Sequence, residues 1–205
     1  MLYKMPRISP SANWYRAVCL FVIIALAGSA ADLLTKHWVF QILGMPGEYK
    51  AESDPELHAV YWVWQNVAGF QTSLNTGALF GIGAGAGRGG TTFLCAVALV
   101  FLVGIMGYVV LWAWRSLFLS VILGMITAGI CGNLYDRLGW HGLTDGKGQP
   151  IYAVRDWVLC MIGTFPWPNF NIADSLLVCS VILLLFHELL FNKSGTVPAP
   201  HQDGG

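Results

Sequence analysis

The two residues best suited to chemistry are aspartates in the last quarter of the chain, Asp156 and Asp174. Asn171 and Asp174 are three residues apart at the start of an apolar run, which is the spacing of a capping box at a helix N-terminus. A helix N-terminus favours an ionised carboxylate, and a second carboxylate close to it then favours the protonated form. Asp156 lies in a short apolar run that can return to the membrane edge, close to Asp174.

Each aspartate also has a purely structural interpretation, because Asp174 could only cap a helix and Asp156 could be an ordinary acid in a loop. In the chemical interpretation, ionised Asp174 takes a proton from water and protonated Asp156 donates one to a carbonyl oxygen. One proton between two carboxylates is the arrangement of aspartic proteases. The assignment of base and acid to these two residues is a hypothesis.

Other ionisable residues fall near the same predicted helix ends. Asp32 and Lys36 are four residues apart with the acid first, so they lie on one helix face. Asp136 and Arg137 close another apolar run. Charged residues in membrane-spanning segments are costly and by default indicate a functional site. The alternative for Asp32 and Lys36 is a pair that extends to the membrane surface and only marks a helix end.

Small residues recur at every fourth position in the apolar run that precedes Asp136. Gly124, Ala128 and Gly132 form a stripe that allows two helices to approach closely in lipid. Asn133 and Arg137 follow on one face, one turn apart. An Asn inside a span is costly unless it is hydrogen-bonded, so we expect either a polar contact between helices or a part of the site.

The composition is typical of an integral membrane protein. The 205 residues are 56% hydrophobic and 11% charged, whereas soluble domains have about 25% charged residues. A formal net charge of zero argues against a nucleic-acid partner. The five cysteines are scattered, and no HExxH motif or Cys/His cluster is present. We therefore expect neither a metal nor a cofactor.

Four apolar runs are long enough to cross a bilayer as helices. They predict one membrane-embedded, all-α domain over residues 1–205. A cleavable signal peptide is the alternative for the first run, because small residues at 27–31 follow its apolar part, but apolar character resumes directly afterwards. The predicted spans are residues 17–40, 91–114, 116–135 and 172–191.

Four spans place both termini on the same side of the membrane. The N-terminal tail has three basic residues and no acid, while residues 48–56 have four acids and one Lys. This asymmetry predicts cytoplasmic termini. Segments 44–90 and 138–170 would then be extracytoplasmic, on the side where the ionisable residues gather. Within the first segment, residues 60–67 predict a strand and residues 81–90 a glycine-rich loop.

Five sequence blocks, in order along the chain, resemble those of the lipoprotein signal peptidase (signal peptidase II) family. Any one block is weak, but five in the family's order on a four-span chain are specific. The blocks are residues 32–36 (DLLTK), 75–81 (NTGALFG), 129–137 (GICGNLYDR), 154–157 (VRDW) and 167–174 (WPNFNIAD).

The resemblance implies an aspartic endopeptidase of the cytoplasmic membrane. Such an enzyme removes the signal peptide of a prolipoprotein just before a diacylglyceryl-modified cysteine, with membrane lipid as its surroundings and no required oligomer. The implied fold is four membrane-spanning helices with a small extracytoplasmic sheet that cradles the substrate, and the implied catalytic pair is Asp156 and Asp174. The implied supporting residues are Asn75, Gly77, Asn133, Arg137, Asn171, Asp32, Lys36 and Asp136.

The chain departs from the family pattern in a few places. Ala128 replaces a usual glycine, Leu79 a small residue and Trp157 a Phe, and the stretches 37–74 and 138–155 are longer than is typical. Two other functions stay open at this point. Carboxylates in a small helical bundle could carry protons or cations, although the other halves of the spans have few polar residues. A non-catalytic scaffold would use the aspartates only as helix caps.

Overall fold

The computed structural model describes residues 12–46, 60–77, 87–112 and 116–191. Within these residues four helices are long and apolar enough to cross a membrane. The shortest has 20 residues, and 20 residues at a rise of about 1.5 Å span the roughly 30 Å of a bilayer core. The helices are α1 Ala12–Leu43, α2 Gly87–Trp112, α3 Leu117–Arg137 and α4 Ile172–Phe191.

The helix ends differ from the predicted spans by a few residues. Helix α1 extends beyond 17–40 at both ends, and α3 continues to Arg137. The loop predicted at 81–90 is wrong for its last four residues, because α2 begins at Gly87. Arg88 stabilises this first turn by donating a 3.0 Å hydrogen bond to the Tyr152 hydroxyl. Residues 81–86 lie outside the described residues.

Helix α3 packs against each of the other three helices. The predicted small-residue stripe lies at its contact with α1. A Cβ added at Gly28 of α1 would lie 2.7 Å from the Ala128 Cβ, and one at Gly124 would lie 3.0 Å from Ile24. Gly28 therefore provides the space for Ala128, the residue that departs from the family's glycine. The close packing predicted from the spacing is confirmed.

A four-stranded antiparallel sheet completes the fold, with the strands in chain order. The strand predicted at 60–67 is correct only for 61–64, because the next three residues form a turn in which Asn66 has a φ of 58°. Asn tolerates this left-handed conformation better than most residues. The strands are β1 Tyr61–Trp64, β2 Ala68–Asn75, β3 Val154–Ile162 and β4 Phe165–Pro166.

The sheet is held to the end of α1 by an apolar cluster. Val39, Phe40 and Leu43 of α1 pack with Trp157 of β3, and the Trp157 ring meets Phe70 of β2 edge to face at 5.1 Å. This contact places the sheet beside the same helix end that carries Asp32 and Lys36. The predicted fold class, four spanning helices with a small sheet, is confirmed.

We predict that Gly132→Ala lowers the melting temperature of the detergent-solubilised protein. A Cβ at this position would overlap the Asp32 carboxylate and press on Ala173, and overpacking of this kind costs about 1–3 kcal/mol. Gly104→Ala is the matched control, because its Cβ would meet nothing within 4 Å. Equal melting temperatures for the two variants would contradict the close packing of α3.

Candidate active site

Asp156 lies on β3, and side-chain amides donate hydrogen bonds to both of its carboxyl oxygens. It is 2% exposed. Asn75 donates to Oδ2 of Asp156 at 3.1 Å, and Asn171 donates to Oδ1 at 2.6 Å. In the β2–β3 register Ser73 is opposite Asp156 and Asn75 is opposite Val154. Because side chains alternate along a strand, Asn75 and Asp156 project from the same face of the sheet.

Asp174 lies in the first turn of α4 and forms the predicted capping box. The Asn171 Oδ1 accepts from the Asp174 main-chain N–H at 3.0 Å, and the Asp174 Oδ2 accepts from the Asn171 main-chain N–H at 3.2 Å. These two bonds satisfy N–H groups that would otherwise lack a partner at the helix start. The capping role is therefore real, and Asp174 has a second oxygen for other contacts.

Two side-chain amides connect the two carboxylates. Asn133 donates to Oδ1 of Asp174 at 2.8 Å, and its own Oδ1 accepts from Asn171 at 3.1 Å. Asn171 also donates to Asp156, so a continuous chain of hydrogen bonds runs from one carboxylate to the other. Asn133 of α3 thus contacts the start of α4, and its predicted hydrogen-bonding role is confirmed.

The environment of Asp156 favours a protonated carboxyl. Burial, followed by the negative charge of Asp174, raises the pKa of Asp156 to about 7, against the lowering effect of its hydrogen bonds from Asn75 and Asn171. A carboxyl with this pKa keeps its proton over much of the range in which most carboxyls are ionised. A protonated Asp156 could act as a proton donor to a bound substrate.

A buried ammonium group lies directly beneath these amides. The Lys36 Nζ is 2.7 Å from Asp32 and 3.2 Å from Asp136, and it donates to Oδ1 of Asn133 at 3.0 Å. The Lys36 and Asp32 side chains are both 0% exposed, which rules out a pair that extends to the membrane surface. Asp32 also accepts from the Ala173 main-chain N–H at 2.9 Å. The pair thus connects α1 to the site.

Arg155 belongs to the same buried cluster, and the sequence analysis missed it. Asp136 accepts from Arg155 Nε at 3.1 Å, from Nη2 at 2.8 Å and from its main-chain N–H at 2.9 Å. Arg155 is 4% exposed. A charged residue inside an apolar strand, next to Asp156, was the available signal, because such a residue needs a buried partner of opposite charge.

Arg137 and Gly77 meet at the other side of the site. Arg137 donates to the Gly77 carbonyl at 2.9 Å, and the Gly77 N–H donates to Oδ1 of Asn75 at 3.0 Å. All ten candidate residues of the sequence analysis therefore lie in connected contacts around Asp156 and Asp174 or in the ion cluster beneath them. Among the described residues, no group of His, Cys, Asp and Glu could hold a metal ion.

Two cavities adjoin the aspartates. One, of about 660 Å³, has Asp156, Gln71, Ser73 and Asn169 among its wall residues. The other, of about 570 Å³, is a groove between α2, α3 and α4 with mostly apolar walls, in which Asn133, Arg137 and Asp174 are the polar residues. The two cavities have no wall residue in common: Asp156 lines the first and Asp174 lines the second.

The comparisons with known proteins identify the family. The model of the family described as signal peptidase (SPase) II matches residues 24–190. The chain belongs to the signal peptidase II family. As a member of it, the chain is a peptidase with membrane-spanning helices.

Individual relatives agree with this membership. The chain is 40% identical over 176 residues to the lipoprotein signal peptidase of Rhodopirellula baltica, covering 85% of this chain and 72% of that protein. It is 30% identical to the one of Bacillus subtilis, covering 85% and 95%. The solved structure of a bacterial membrane enzyme superposes with a TM-score of 0.64 at 24% identity, covering 89% of this chain and 94% of that chain. This last likeness supports the fold.

We predict that Arg155→Met destabilises this signal peptidase II family member by about 3–5 kcal/mol. Without Arg155, the buried carboxylates of Asp32 and Asp136 share the single positive charge of Lys36. Thermal unfolding in detergent measures the loss. The double variant Arg155→Met with Asp136→Asn restores charge neutrality and recovers part of it. Arg88→Met, which removes an exposed contact, costs about 1 kcal/mol or less. An Arg155→Met protein as stable as Arg88→Met would refute this role.

Proposed function

We propose that this chain is an aspartic endopeptidase of the bacterial cytoplasmic membrane that removes signal peptides from diacylglyceryl-modified prolipoproteins. Cleavage occurs just before the lipid-bearing cysteine. The observation that carries the proposal is the hydrogen-bonded chain from Asp156 through Asn171 and Asn133 to Asp174. Family membership supplies the substrate class, since the relatives are named lipoprotein signal peptidases.

In the first half of the reaction, a water molecule lies between the two carboxyl groups. Asp174 takes a proton from the water as its oxygen attacks the scissile carbonyl carbon. Asp156, held protonated by its raised pKa of about 7, donates its proton to the carbonyl oxygen. The product of this step is a neutral tetrahedral diol, so no charge is left on the substrate.

In the second half, Asp174 gives its proton to the amide nitrogen while Asp156 recovers a proton from the diol. The C–N bond then breaks, which yields a carboxylic acid on the signal peptide and a free amine on the lipid-bearing cysteine. Both aspartates return to their starting protonation states. Asn133 and Asn171 fix both carboxyl groups throughout and so reduce the reorganisation that the reaction requires.

The apolar groove fits the apolar segment of a signal peptide. Its walls come from α2, α3 and α4, and Asn133, Arg137 and Asp174 provide its polar groups. A signal segment in this groove would bring the following peptide bond to Asp174. Arg137 binds the main-chain carbonyl of Gly77 and Asn75 binds its main-chain N–H, and we assign both side chains to substrate backbone as well. The groove keeps the substrate in contact with membrane lipid.

The topology of the proposal follows from the distribution of charge. Both termini lie in the cytoplasm, because the N-terminal tail is basic and residues 48–56 are acidic. The site then lies near the extracytoplasmic face, and the single domain spans residues 1–205. No oligomer is required for the proposed reaction.

A proton or cation carrier is the less favoured alternative. Such a protein needs polar groups along a path to both faces. In the described spans, Ser120 and Ser180 are buried, and each donates to the main-chain carbonyl four residues before it. Neither side chain extends the polar site towards the opposite face.

We predict that Asp156→Asn and Asp174→Asn each lower the cleavage rate of a lipid-modified prolipoprotein by at least about a hundredfold. Each substitution removes one carboxyl from the pair and keeps one of the two oxygens that accept hydrogen bonds there. Release of the signal peptide by the purified protein is measured on gels. Asp145→Asn is the control, because Asp145 is an exposed loop residue that accepts from the main chain of Lys147 and Gln149.

We expect Asp145→Asn to cleave the prolipoprotein at the wild-type rate. Melting temperatures of all three variants separate catalysis from folding, since loss of the capping interaction alone costs about 0.5–2 kcal/mol. Cleavage at a normal rate by either site variant would refute the aspartate pair.

A further inference from the structure

The cavity next to Asp156 differs in chemistry from the apolar groove next to Asp174. Its wall includes Gln71, Thr72, Ser73, Asn75, Thr76 and Asn169, all of them polar and uncharged. The mechanism above uses Asn75 from this set and leaves the others without a role. A cavity whose wall carries several hydrogen-bonding groups beside a reactive carboxyl is a candidate binding site.

The polar groups follow one another along β2, from the end of the cavity at Asp156 to the end at Gln71. Asn75 donates to Asp156 at one end. At the other end, Asn169 donates to the Gln71 main-chain carbonyl at 2.9 Å and to the Gln71 Oε1 at 3.2 Å. Ser73 lies between them, opposite Asp156 in the strand register. From Asn75 to Gln71 the strand covers about 13 Å at 3.3 Å per residue, so an extended peptide would need about four residues to reach Gln71.

The substrate of the proposed function also has two parts of opposite chemistry, an apolar signal segment and a hydrophilic mature chain, joined at the scissile bond. With that bond at the two aspartates, each part meets the space whose walls match it. We propose that the polar cavity binds the first residues of the mature chain after the lipid-bearing cysteine, with Gln71 as a specificity-determining residue held in place by Asn169. This inference rests on the proposed function and adds a subsite to it.

The absence of charged wall residues other than Asp156, within the described part of this cavity, sets its preference. A neutral polar segment can exchange hydrogen bonds with Gln71 and Ser73. An acidic segment would find no cation among these wall residues to pair with. The expected ligand is therefore an extended segment of about four uncharged polar or small residues.

The test compares two synthetic lipopeptides in detergent micelles. Both carry the same signal segment and the same diacylglyceryl cysteine, followed by either one or five uncharged polar residues. For the wild-type protein, the longer peptide has a KM lower by about three- to tenfold, the effect of one or two net hydrogen bonds. Gln71→Ala loses most of this difference. The Asn169 bond to the Gln71 main chain survives in this variant, which favours correct folding.

Gln65→Ala is the matched control, because Gln65 is exposed in the turn between β1 and β2 and outside the cavity wall. It keeps the full difference between the two peptides. The ratio of two KM values from one protein sample does not depend on the active fraction, so partial unfolding cannot imitate the result. Equal KM values for both peptides in the wild type, or an undiminished ratio in Gln71→Ala, would overturn the subsite. Failure to cleave either peptide would instead overturn the proposed function.

Discussion

The site depends on one buried ammonium group, that of Lys36. It lies within 3.2 Å of carboxylate oxygens of Asp32 and Asp136, and it donates to Asn133. A charge removed from water is tolerated only when opposite charges and hydrogen bonds surround it. The Arg155 guanidinium provides the second cation, so two cations balance two carboxylates. This cluster joins α1, α3 and β3, and the amides that hold Asp156 and Asp174 extend from it.

The cluster explains why two aspartates from different elements can meet. Asp156 comes from a strand and Asp174 from the start of a helix, and each has an ordinary structural role in its own element. Asn133 and Asn171 orient both, and Lys36 and Asp32 orient the two asparagines through Asn133 and the start of α4. Two carboxyl groups fixed in this way are suited to the acid and base roles proposed for them.

Much of this arrangement could be predicted from the sequence, because its determinants are local. The four-residue spacing of Asp32 and Lys36 gives one helix face, and the three-residue spacing of Asn171 and Asp174 gives a capping box. Arg155 could not be predicted in the same way, because its partner Asp136 is 19 residues away. Strands β2 and β3 were also missed, because their pairing joins residues about 80 positions apart, and pairing over such distances leaves no local pattern.

The central claim is that one carboxyl of the pair, Asp156, holds a proton near neutral pH. Infrared spectroscopy of the membrane-reconstituted protein over a pH series detects a protonated carboxyl through its C=O stretch. A pKa of about 7 for Asp156 predicts a band that is full well below that value, is lost as the pH rises through it, and is missing in Asp156→Asn. A wild-type protein with no protonated carboxyl above about pH 5, as for ordinary aspartates, would contradict the account, as would an unchanged band in Asp156→Asn.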